Sequence, residues 1–78
     1  VSDKKLTMKQ MVMDSLRWMH ETNPEYWSYS THQIVTYPGI IPSYKSIEAA
    51  KCLSGLFIQD KILRPERGRY ALKPEDRP

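Results

Sequence analysis

The chain has 78 residues, of which 40% are hydrophobic and 27% charged, with twelve Lys and Arg against nine Asp and Glu and a formal charge of +3. That length fills one hydrophobic core and excludes a second, so a single domain over residues 1–78 is expected, and the balance of apolar and charged residues excludes a disordered chain. Cys52 is the lone cysteine, Cys52, His20 and His32 show no C-x-x-C or H-x-x-x-H spacing, and three scattered glycines build no phosphate loop, so neither metal, cofactor nor enzymatic catalysis is expected.

A lone cysteine fits a reducing, intracellular compartment such as cytoplasm or nucleus. No stretch is long and apolar enough for a bilayer span, no signal peptide is visible, and no membrane partner is expected. Val1 fits removal of an initiator Met and equally fits excision from a longer chain. The positive charge is uneven. Lys4, Lys5, Lys9 and Arg17 load the N-terminal segment, and Lys45, Lys51, Lys61, Arg64, Arg67 and Arg69 load the second half.

Residues 1–6 read as a polar, flexible lead-in. From Thr7, an acceptable N-cap, Met8, Val12, Leu16 and Met19 recur at helical steps with Met11 beside them. This helix is expected to stop near Glu21, ahead of Asn23-Pro24. Met8, Met11, Met13 and Met19 are expected in or near the core. Trp18 is likewise expected to serve the core, and were its place next to Arg17 to leave it exposed, it would suggest a protein contact or a dimer interface. Tyr26-Trp27-Ser28-Tyr29 is a short run with strand preference, and its aromatic residues are expected to serve the strand and the core.

Ser30-Thr31-His32-Gln33 has the S-x-x-Q form of a reciprocal helix cap and opens a second helix carrying Ile34 and Val35, which Pro38-Gly39 limits to about two turns. Ile40 and Ile41 follow as buried turn residues. Ser43 is the expected N-cap of a third helix from Tyr44 to about Gln59. At about 100° per residue, Ile47, Ala50, Leu53, Ser54 and Phe57 share an inward face, while Lys45, Glu48, Ala49 and Cys52 fall opposite. Leu56 lies outside that stripe and needs cover from another element. Ile62-Leu63-Arg64 and Arg69-Tyr70-Ala71-Leu72 read as a hairpin around Pro65-Glu66-Arg67-Gly68, with Leu63, Tyr70 and Leu72 on its inner face. Residues 73–78 read as a polar, frayed tail.

The capped short helix from Ser30, the stretch from Leu53 to Leu63 and the returning run Arg67-Gly68-Arg69-Tyr70-Ala71-Leu72 together resemble the winged helix-turn-helix superfamily over about residues 6–72. One departure is that the family often carries Gly where Asp60 or Lys61 stands here. The resemblance implies an α+β fold of three helices, a short strand and a C-terminal β-hairpin wing. It also implies a double-stranded DNA-binding module of the kind used in transcription regulation, with the third helix in the major groove and the wing on the backbone. Carried over by position, Tyr44, Lys45, Ser46, Glu48, Ala49 and Cys52 would face bases, and Lys51 would reach a phosphate. Arg64, Arg67 and Arg69 would form a basic wing, and Lys4, Lys5 and Lys9 would add backbone contacts. The alternative is a winged helix serving as a protein–protein interaction module or homodimer in a larger assembly, which the modest charge and Glu48 favour.

Overall fold

The computed structural model describes residues 7–78, which form an α+β arrangement of three α-helices and one three-stranded antiparallel sheet. Lys4 and Lys5, and the expected lead-in as a whole, lie outside the described residues. Helix α1 (Met8–Thr22) begins with a reciprocal cap: Thr7 Oγ1 accepts from the Gln10 N–H at 3.2 Å and Gln10 Oε1 accepts from the Thr7 N–H at 2.9 Å. It ends at Asn23, which Pro24 holds out of the helical region. Strand β1 is only Tyr29–Ser30, and helix α2 (Thr31–Thr36) opens on the same kind of cap, between Ser30 and Gln33. Of the aromatic residues in the run, Tyr29 alone is buried. Tyr26 and Trp27 are exposed on the loop before it, contrary to the expectation that the run serves the core.

The next segment starts differently from its sequence reading. Ser43–Lys45 form a 3-10 turn closed by the Lys45 N–H on the Pro42 carbonyl, and Ser43 makes no side-chain cap. Helix α3 therefore spans Ser46–Ile58. At its end the Asp60 N–H bonds the Phe57 carbonyl and the Lys61 N–H reaches back to the Leu56 carbonyl, a paired closure that needs a left-handed residue at Asp60. Asp60 supplies it with φ 61°.

Strands β2 (Ile62–Glu66) and β3 (Arg69–Leu72) form the hairpin, and β3 lies between β1 and β2. Ile62 faces Leu72 and Leu63 faces Ala71, whereas Glu66 faces Arg69. The shift leaves Arg64 and Pro65 against the single residue Tyr70, a bulge that accommodates a proline without a ladder N–H. The turn is thus only Arg67-Gly68, with Gly68 at φ 79°. Ile62, not Leu63, is the buried residue of β2, joining Tyr70 and Leu72.

The core gathers Val12, Leu16 and Met19 of α1, Tyr29, Ile34 and Val35, Ala49, Leu53 and Leu56 of α3, and Ile62, Tyr70 and Leu72 of the hairpin. Met8, Met11, Met13 and Trp18 are half-buried against it, so Trp18 contributes to packing and presents no separate patch. Of the two turn isoleucines only Ile41 is buried. The tail also departs from expectation: Pro74–Asp76 form a 3-10 turn and Arg77 folds back half-buried. Among the described residues no helix is long and apolar enough to cross a membrane.

Candidate nucleic-acid interface

Helix α3 is apolar most of the way round, with Glu48 and Lys51 as its two charged residues. Its inward face is Ala49, Leu53 and Leu56, with Cys52 half-buried beside them. At about 100° per residue the opposite face is centred on Ile47, Lys51 and Ile58, and Glu48 flanks it. Ile47 is 72% exposed and Ile58 78%, and Tyr44 in the preceding turn is 82% exposed. The helix is thus rotated from its sequence reading: Ile47 points out, while Ala49 and Cys52, expected toward a ligand, turn in. Ala49 is fully buried in the core, where a small residue fits between packed elements. Burial pushes the Cys52 thiol above its ordinary range, against a weaker opposing pull from Lys9, so no activated nucleophile results.

The other residues proposed for the interface divide into two groups. Tyr44, Glu48, Lys51, Arg64 and Arg67 are exposed, while Lys45 and Ser46 are half-buried. Lys45 Nζ lies 5.9 Å from the Tyr44 ring centroid, and the Arg64 guanidinium sits 4.4 Å from the Phe57 ring centroid, which steadies an otherwise mobile side chain. Arg69 has a different task. Its Nε donates to Ser28 Oγ at 2.9 Å and its Nη2 to the Ser28 carbonyl at 2.7 Å, which commits the side chain to holding the hairpin against the strand before α2. The exposed hairpin cations are therefore Arg67 at the turn, Arg64 within β2 and Lys61 just before β2.

The tip is itself anchored. The Gly68 carbonyl accepts from the Thr31 N–H at 3.1 Å and the Thr31 hydroxyl at 3.3 Å, tying the turn to the first residue of α2. A cleft of about 310 Å³ lies between α2 and the start of α3, lined by His32, Val35, Thr36, Ile41, Ser43 and Ser46.

The far end of β3 carries a second polar cluster. Strand β1 pairs only with Arg69 and Tyr70, and the next backbone pair on that edge belongs to Leu72. Its N–H donates to His20 Nε2 at 3.0 Å and its carbonyl accepts from Arg77 Nε at 3.0 Å, so two side chains continue the ladder where the strand stops. An accepting Nε2 requires a neutral imidazole with its proton on Nδ1. Burial, followed by the nearby Arg77, lowers the His20 pKa and keeps it in that form. His20 also packs edge-on to Tyr29 at 4.9 Å, and the Tyr29 hydroxyl donates to the Asn23 carbonyl at 2.6 Å. Burial raises the Tyr29 pKa, with a smaller contribution from Glu25, while Arg77 pulls it the other way. Arg77 completes the cluster by stacking 4.8 Å from the Trp27 ring centroid.

Among the described residues no three His, Cys, Asp or Glu side chains converge to hold a metal ion. No protein-family model, curated protein or solved structure matches this chain.

Proposed function

We propose that the chain is a winged-helix domain that binds double-stranded DNA, as small transcriptional regulators do. The turn at Tyr44 and the first half of α3 address the major groove, and the β2–β3 hairpin is the wing, lying on the phosphate backbone. The observation that carries this reading is the position of the exposed cations. Lys51 stands on the outward face of α3, Lys61 just before β2, Arg64 within it, and Arg67 at the hairpin turn. None of the four enters a salt bridge among the described residues, where the ion pair is Lys73 with Asp60 at 3.2 Å. Four cations that neutralise four phosphates release their counterions, so affinity falls on the order of a hundredfold between about 50 and about 200 mM salt.

The test is a titration with duplex DNA at those two salt concentrations. Absence of binding at low salt, or an affinity indifferent to salt, overturns the proposal. Arg67→Ala weakens binding to all sequences alike and lowers the salt slope by about one.

Ile58 favours a second reading, in which the same fold docks a protein. It lies eleven residues beyond Ile47, roughly 16 Å along the axis, past the half of the helix that enters a groove. A chain that ignores DNA at low salt, self-associates in sedimentation equilibrium and returns to monomer on Ile58→Glu establishes that alternative.

A further inference from the structure

Of the side chains that read base edges by paired hydrogen bonds, the outward face of α3 holds only Lys51, which the proposed function assigns to the phosphate backbone. Bidentate recognition of guanine uses Arg or Lys, and that of adenine uses Asn or Gln. From Ser43 to Ile58 there is no Arg, Asn or Gln. Lys45 is half-buried beside Tyr44, and Glu48, which repels phosphate, has the cytosine amino group as its natural partner. What the leading half of the helix does present is apolar surface. Ile47 is 72% exposed and Tyr44 is 82% exposed, with Ala50 half-buried one turn on. A β-branched residue held open to water gives the domain itself little stability, so its apolar surface is available to a ligand.

On the major-groove floor the one apolar feature is the methyl group on C5 of the pyrimidine, present on thymine and absent from uracil and unmodified cytosine. We infer that Ile47, with exposed Tyr44 three residues before it, is the specificity-determining contact and reads 5-methylpyrimidines in the major groove, so that the preferred ligand is thymine-rich or cytosine-methylated duplex. The inference rests on the DNA-binding reading and adds to it what the helix distinguishes. Lys51 and the hairpin cations hold the backbone without regard to sequence, and Ile47 supplies the selectivity.

The experiment uses four synthetic duplexes of equal length: alternating dA·dT, alternating dA·dU, alternating dG·dC, and alternating dG with 5-methyl-dC. The first pair differs only by removal of the methyl, and the second only by its addition on the other base pair, so duplex shape and methyl content are separated. Burying one methyl is worth about 0.8 kcal/mol, or roughly fourfold in affinity per contact. The expected result is a preference of at least that size for the methylated member of both pairs. In Ile47→Ala it disappears with the salt slope unchanged, and in Ile47→Val it is largely kept. Equal binding to all four duplexes overturns the inference and leaves the DNA-binding reading standing. A methyl preference that survives Ile47→Ala removes the assignment to Ile47. Failure to bind any of the four at low salt refutes the DNA-binding reading itself, and the inference with it.

Discussion

Replacing His20 with Phe isolates one hydrogen bond. An aromatic ring, somewhat larger than imidazole, is kept against Tyr29, but the acceptor for the Leu72 N–H is lost. Leu72 is 1% exposed, so water cannot replace that acceptor, and an unpaired buried N–H costs about 1–3 kcal/mol. A chain of this length has a total stability of about 4–12 kcal/mol, so the loss is a large share of it and lowers Tm by roughly 5–15 °C. Protonation of His20 does the same damage by placing a hydrogen on Nε2 and a charge near Arg77. Because the folded-state pKa lies below the ordinary 6.5, the unfolded chain binds more protons between the two values, and stability rises with pH across that window. The contribution is fully present above about pH 6.5 and is lost progressively as pH falls toward the folded value. Urea melts at about pH 7.5, 6.5 and 5.5 read both effects. His20→Phe is less stable than the parent at the highest pH, and the gap closes toward the lowest. Equal stability at the highest pH, or parallel pH profiles for the two proteins, would falsify this account of the cluster.

Three further outcomes are expected. Asp60→Gly is more stable than Asp60→Ala by about 1 kcal/mol in chemical denaturation, because both lack the Lys73 pair and differ only in tolerance of φ 61°. Arg69→Ala lowers stability by about 1.5–3 kcal/mol through loss of its bonds to Ser28, whereas Arg67→Ala changes it by less than about 0.5 kcal/mol; equal thermal shifts would contradict the division between structural and exposed arginines. Leu53→Ala removes a fully buried side chain where α3 joins the core and costs about 2.5–5 kcal/mol, enough to leave a partly unfolded chain by circular dichroism at 37 °C.

Local chemistry was the legible part of this sequence. The S-x-x-Q cap at Ser30, the stop ahead of Pro24 and the hairpin around Gly68 depend on neighbouring residues, and each forms where its signature stands. The rotation of α3 was not legible. A helix with two charges in thirteen residues has no single apolar stripe, and ranking by hydrophobicity places Ile47 and Phe57 inside at the expense of Ala49. Tertiary packing between elements selects the small residue. The choice of Leu63 over Ile62 failed because a one-residue bulge at Arg64-Pro65 resets which strand positions share a face. The roles of Arg69 and Arg77 depend on Ser28 and Leu72, which are distant or non-periodic in sequence. Ile47 was visible as an apolar residue near a predicted helix start, but its exposure was not.

The bond between Thr31 and the Gly68 carbonyl has a mechanical consequence. A hairpin joined to the body only at its base swings freely, and a ligand that needs its tip must first immobilise it. Here the tip is stapled to the beginning of another helix, so the separation between Arg67 and α3 is set before any encounter. A ligand that touched both would have to match that gape with its own dimensions, as the jaws of a set caliper require.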